Sequence, residues 1–142
     1  MTITREALVN AVRQHVGTRW HHQGRTPGVG LDCIGLYVVS AVGLGAALQD
    51  FHGYGPIPRP EVLMAQVQRQ LVEVPRDERQ VGDLLCFAAP ESGKPSHFGV
   101  LVERDPDRMV HAFAKHRRVA LEPVADQWVQ SLHSVWKLKE FA

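Results

Sequence analysis

A basic excess, a long apolar run, a cysteine framework and a phosphate-cradling glycine loop are all missing from this sequence, and each absence excludes a class of function. Its 142 residues carry sixteen basic and fifteen acidic side chains, a formal charge of +1, so no basic patch marks a nucleic acid as partner. No apolar stretch reaches the roughly 18 residues that a membrane span requires. The longest, from Cys33 to Leu48, is broken by Gly35, Gly43 and Gly45, and no membrane partner is expected. Met1-Thr2-Ile3-Thr4-Arg5-Glu6 lacks the basic-then-apolar pattern of an export signal; cytoplasmic synthesis without a signal peptide is the expectation. Two cysteines, Cys33 and Cys86, are too few for a disulfide framework. Cys86, inside Leu84-Leu85-Cys86-Phe87-Ala88, reads as a buried small hydrophobe. His21-His22 and the cysteines fit no zinc spacing, and His111 and His116 fall on strand and turn rather than on one helix face, so no metal is expected. Gly24-Arg25-Thr26-Pro27-Gly28-Val29-Gly30 follows no strand, and no cofactor is implied.

What remains is an ordinary globular chain, 44% hydrophobic and 22% charged, long enough for one cored domain over residues 1–142. Ala7, Leu8, Ala11, Val12, His15 and Val16 share a helical stripe over residues 4–16, with Thr2 or Thr4 as cap and Gly17 as stop. Residues 17–31 read as a loop, and a second helix begins near Asp32 or Cys33 and ends around Gly43 or Gly45. Pro56, Pro58 and Pro60 punctuate the next connection before a third helix over 61–71, with Val62, Leu63, Val67 and Leu71 inward. The pattern then changes to strands at 71–74, 84–88, 97–103, 108–113, 119–124 and 134–138, with a short helix at 126–132. Asp105-Pro106-Asp107 predicts a hairpin turn. Helices first and strands afterwards imply an α+β fold, with the N-terminal helices on one face of an antiparallel sheet.

One cysteine stands out in its setting, Gly30-Leu31-Asp32-Cys33-Ile34-Gly35-Leu36-Tyr37. A loop runs straight into an apolar helix with Cys33 at the junction and Asp32 suited to capping. Free first-turn N–H groups and the helix dipole there favour thiolate over thiol. Downstream, Ser96-His97-Phe98-Gly99-Val100 and Met109-Val110-His111-Ala112 place two histidines on neighbouring strands. Gly99 shares a face with His97 and leaves room for a close neighbour such as a helix end. A cysteine followed by two histidines suggests a nucleophile, a proton carrier and a group that fixes the ring tautomer.

These residues resemble the NlpC-type cell-wall cysteine peptidases, with a compact papain-like fold, and most closely their phage and prophage tail-tip branch. The resemblance covers the N-terminal helix, Gly17-Thr18-Arg19-Trp20-His21-His22-Gln23-Gly24-Arg25, Asp32-Cys33-Ile34-Gly35-Leu36, Gly82-Asp83-Leu84, His97-Phe98-Gly99-Val100 and Val110-His111-Ala112. It implies Cys33 as nucleophile at the N-terminus of a buried helix, His97 as general base and His111 as the orienting third residue. It implies hydrolysis of a peptidoglycan stem peptide, typically between a γ-linked D-glutamyl residue and a diamino acid. The Cys33 N–H and a donor from residues 20–24 would hold the oxyanion. Trp20, His22, Asp32 and Ile34 would line the substrate site; Ile34 and Trp20 stand where the family often has serine and tyrosine. Other tail proteins would be partners, and a virion or phage-like tail the place of action. Two further readings use the same residues: a catalytically silent tail-hub component, or the same trio turned to another amide hydrolysis or acyl transfer.

Overall fold

Thr4 starts the first helix by a local rule. In the computed structural model, which describes residues 2–50, 54–55 and 59–141, its hydroxyl accepts the Ala7 N–H at 3.0 Å and α1 runs Arg5–Arg13. This satisfies one of the donors a first turn leaves unpaired. Leu8, Val9 and Val12 turn into the core. The helix stops short of its expected end, and Val16 is 46% exposed rather than on the buried stripe. The cause is tertiary: the Gly17 N–H bonds the Val119 carbonyl at 2.9 Å, and the Val119 N–H returns to Thr18 at 2.8 Å. The chain leaves the helix because the sheet pins it.

Residues 17–31, expected as loop, contain a small ribbon, β1 (Arg25–Thr26) paired antiparallel with β2 (Gly30–Leu31). Strands of two residues have no period to read. The ribbon delivers Asp32 to the head of α2 (Cys33–Gly43). Helix α3 (Pro60–Gln70) opens on a proline, whose missing N–H costs nothing at that position. Leu63, Val67 and Leu71 are buried, but Val62 is 42% exposed, since the Leu63–Val67 pair sets the buried stripe and Val62 lies beside it. Pro56 and Pro58 lie outside the described residues.

The strands are β3 (Leu71–Val74), β4 (Leu84–Ala88), β5 (Pro95–Glu103), β6 (Arg108–Phe113), β7 (Arg118–Pro123) and β8 (Leu132–Leu138), with α4 (Asp126–Ser131) before the last. They form one antiparallel sheet in the order β3-β8-β4-β5-β6-β7. This is the expected α+β architecture, and the Asp105-Pro106-Asp107 turn joins β5 to β6 as a hairpin.

Period two divides the sheet between two unequal cores. Cys86, Phe98, Val100, Val110 and Ala112 face the layer of α1, α2 and α3. Leu85, Phe87, Leu101, Met109 and Val135 form a smaller cluster on the opposite face, covered by Trp128 of α4. The three N-terminal helices thus share one face, and the short fourth lies on the other. Cys86 is an unpaired, fully buried thiol, packed as a small hydrophobe.

Candidate active site

Asp32 builds the head of α2. Its Oδ1 accepts the Gly35 N–H at 2.8 Å and Arg25 Nη1 at 3.0 Å; its Oδ2 accepts the Gln23 N–H at 2.9 Å and the Tyr54 hydroxyl. These four donors fill a buried carboxylate, which is how a buried charge is tolerated. Arg25 in turn bonds Asp50 and the Tyr54 oxygen. Glycine at 35 is a steric demand: a β-carbon there would stand 2.1 Å from the Gly24 carbonyl oxygen. The loop and the first helical turn, which carries Cys33, therefore touch backbone to backbone.

Cys33 is half-buried on the helix side of the sheet. The backbone N–H groups of Ile34 and Phe98 act on its sulfur and favour the anion. The Phe98 amide is free to do this because the β5–β6 ladder pairs Val100 with Val110, Leu101 with Met109 and Glu103 with Arg108. Among the described residues no pair of that ladder precedes Val100. The thiol thus sits one residue along the strand from His97. Burial, then the neighbouring Asp32 carboxylate, push its pKa up to about 12 against the pull of the two N–H groups. The expected thiolate preference is overturned: the helix head favours the anion, but desolvation outweighs it.

His97 and His111 lie on the opposite face, where a chain of hydrogen bonds crosses three strands. His97 Nε2 and His111 Nδ1 are 2.8 Å apart, and His111 Nε2 meets Glu122 Oε1. A carboxylate only accepts, so His111 donates from Nε2 and accepts at Nδ1. His97 must then donate from Nε2, which leaves its Nδ1 as a free lone pair. Burial drives the His97 pKa down to about 3, helped by the facing His111 and His116. His111 is also lowered by burial, although Glu122 pulls the other way. Both rings rest neutral at ordinary pH. Trp128 covers them, its ring 5.5 Å from His97 and 5.3 Å from His111, with Phe87 and Phe113 alongside.

Gly99 has a different reason from the one expected. A β-carbon there would meet Met109 Sδ at 2.8 Å and His111 Cβ at 3.3 Å. The room beside His97 is taken by the next strand, not by a helix end, and it lets His111 lean toward His97.

The remaining predicted contacts fall around this centre. Ile34 is buried and lines an apolar cavity with Leu63, Val67 and Phe98. His22 packs edge-on against Tyr54 with centroids 5.4 Å apart. Trp20 is half-buried against the main core and bridges Leu31. In the segment expected to supply an oxyanion donor, the N–H groups of Trp20, His21, Gln23 and Gly24 bond Arg117, Leu31, Asp32 and His21. Any donor from that segment is therefore the His22 N–H or a side chain.

Sequence reasoning missed Glu122, Arg25, Tyr54 and Trp128. Glu122 carried a signal: β7 alternates, and Ala120 stands opposite His111, so Glu122 shares the histidines' face. Tyr54 and Arg25 carried none: Tyr54 lies outside any helix or strand and Arg25 on a strand of only two residues.

The family model described as the NlpC/P60 family matches residues 17–137. Among curated proteins none matches the sequence. Solved structures do match. An NlpC/P60 family protein from Bacillus cereus ATCC 10987 gives a TM-score of 0.74 at 21% identity, over 97% of this chain and 41% of its own. The NlpC/p60 domain of the peptidoglycan hydrolase SagA gives 0.69 at 18%, over 96% and 100%. RipD from Mycobacterium tuberculosis, a non-catalytic NlpC/p60 domain protein adapted to peptidoglycan binding, gives 0.64 at 14%, over 98% and 99%. The chain spans less than half of the Bacillus protein. At these identities the structural likeness is one of fold.

Proposed function

We propose that this chain, which belongs to the NlpC/P60 family, is a cysteine peptidase of peptidoglycan. One observation carries the proposal: a thiol at a helix head is influenced by the N–H of Phe98, the residue next to an imidazole held by a second imidazole and a carboxylate. Cys33 and His97 rest as thiol and neutral imidazole. As the sulfur attacks the peptide carbonyl carbon, His97 takes the thiol proton at Nδ1, and the carbonyl electron pair moves onto oxygen. The Cys33 N–H and one further donor hold that oxyanion; a donor of this kind is worth about 3 kcal/mol in acyl transfer. Collapse breaks the C–N bond, and His97 gives its proton to the departing amine. Water, deprotonated by His97, then attacks the thioester, and Cys33 leaves and regains its proton. His111 and Glu122 keep Nδ1 of His97 unprotonated between steps.

The finer reading is cleavage between the γ-linked D-glutamyl residue and the diamino acid of a stem peptide. It is supported by the likeness of Asp32-Cys33-Ile34-Gly35-Leu36 and His97-Phe98-Gly99-Val100 to the family's motifs. Delivery on a phage-like tail, alongside other tail proteins, rests on that likeness too. A second reading is binding without cleavage, as in RipD; the raised pKa of Cys33, which leaves the resting nucleophile protonated, favours it. Release of new amino groups from purified peptidoglycan separates the two. The wild-type chain releases them and Cys33→Ala and His97→Ala do not, with fragment masses naming the bond. Sedimentation with the wall but no release from the wild type would leave binding as the function.

A further inference from the structure

Behind the two histidines lies a cluster that the peptidase chemistry leaves partly unused. The β6–β7 connection turns through Ala114–His116, and Arg117 takes the left-handed conformation at φ 58°. This folds His116 back over the hairpin, so that its Nε2 stands 3.1 Å from Glu122 Oε1, the oxygen that also meets His111. Donor atoms of His111, His116 and Glu122 all lie within 4.8 Å of one another. On the sequence His111 and His116 show no metal spacing, because no helix face joins them. A hairpin joins them instead, and β7 adds the carboxylate.

Two imidazole nitrogens and one carboxylate oxygen, with a fourth position left open, make a donor set that Zn²⁺ takes. The β6–β7 ladder, paired from Phe113–Arg118 to Arg108–Pro123, holds two of the three donors in place without an ion. Access is graded: the His111 side chain is fully buried, that of Glu122 is 26% exposed and that of His116 is 39% exposed. An ion can enter from the solvent side and reach the inner histidine last.

We propose that His111, His116 and Glu122 form a site for Zn²⁺ or a similar divalent cation, and that its occupation switches the peptidase off. The switching half rests on the reading of His97 as base. A metal on Nε2 of His111 needs that nitrogen's lone pair, so the proton of this neutral ring sits on Nδ1. His111 then donates to His97 Nε2 where it accepted before, and His97 carries its own proton on Nδ1. Each ring holds one proton before and after; only the direction of donation reverses. His97 has no lone pair left to receive the Cys33 proton.

Calorimetric titration of the Cys33→Ser chain with Zn²⁺ tests the site without the thiol. One ion per chain is expected, with binding weakened by about tenfold or more when His116→Ala removes a ligand. In the wild-type chain, Zn²⁺ should suppress amino-group release from peptidoglycan, and the His116→Ala chain should keep its activity at the same concentration. Ring ¹⁵N shifts of His97 should pass from the Nε2–H to the Nδ1–H pattern as the ion binds. No binding, or binding indifferent to His116→Ala, overturns the site. Equal inhibition of wild type and His116→Ala overturns the switch and puts the ion on Cys33 and His97. A chain inactive without any metal fails the peptidase reading alone, since the calorimetry still decides the site.

Discussion

The two faces of the sheet are built from different materials and hold different parts of the site. The helix face is the larger core, aliphatic side chains with Tyr37, Phe98 and Trp136 among them, and Cys33 occupies the head of α2 at its edge. The opposite face carries a smaller cluster, where Leu85, Leu101, Met109 and Val135 adjoin the imidazoles of His97 and His111 and α4 with Trp128 is the cover. The proposed nucleophile comes from the first face and the proposed proton carriers from the second. They approach each other only around Phe98, before the β5–β6 ladder begins. The large core fixes the thiol in position, while the small cluster sets the protonation of the rings by keeping water away. Positioning and proton chemistry are thus separable, and each can be disturbed without the other.

Acid should disturb the small face first, and this is the largest effect expected. An imidazole in the unfolded chain takes a proton near pH 6.5, whereas folded His97 resists until about pH 3. Between those values the unfolded state binds more protons, so stability is complete above pH 6.5 and is lost as the pH falls toward 3. One such group contributes a slope of up to about 1.4 kcal/mol per pH unit. The lowered pKa of His111 acts in the same direction. Urea unfolding between pH 7 and pH 4 should show this slope in the wild type and a shallower one in His97→Gln. Equal slopes would mean that burial on the small face does not govern its protonation.

The large face should fail by crowding. Gly35→Ala places a methyl 2.1 Å from the Gly24 carbonyl oxygen, backbone against backbone with no side chain to move aside. Overpacking of this kind costs about 1–3 kcal/mol. The pH slope should be unchanged, because the histidine face is untouched, while Cys33 shifts and amino-group release drops. A Gly35→Ala chain with wild-type stability would show that the loop and helix head are not rigidly joined.

How much of this could be read beforehand differs between the faces in the same way. The helix face was legible because its elements are long and patterned: Leu8 and Val12, and Leu63 and Val67, show their stripes, and the run after Cys33 is apolar almost throughout. Asp32 as cap followed from residue type and position. The misreadings have tertiary causes. Val16 left its stripe because Gly17 pairs with Val119, and the thiol's pKa moved up rather than down because burial outweighs the helix head. On the other face, His97 facing His111 was legible from strand alternation, yet Glu122 was not identified although the same alternation reaches it. That His116 comes back to Glu122 was not legible, because spacing along the chain does not show where a hairpin turn folds back. Arg25 reaches Asp32 from a two-residue strand and Tyr54 from outside any helix or strand, so neither shows a periodicity.

The finest distinction lies within the small face, between Glu122 as filler and Glu122 as the group that orders the protons. Glu122→Gln retains a carbonyl oxygen that can accept from His111 Nε2, and so preserves the tautomers of both rings; Glu122→Leu retains much of the volume and no acceptor. If the carboxylate acts through tautomer selection, the leucine variant should lose roughly tenfold in kcat, about 1.4 kcal/mol, with KM unchanged. The glutamine variant should recover most of that loss. A residue that merely fills space would give the reverse order or none, since the two replacements are similar in size. His111 Nε2 would then have no fixed acceptor in the leucine variant, its ring could carry the proton on either nitrogen, and the share of His97 with a free Nδ1 would fall accordingly. The pH profile distinguishes this from a change of charge. Glutamine and leucine both remove the carboxylate, so an effect of charge would move both profiles alike, whereas an effect of tautomer lowers the plateau of the leucine variant alone.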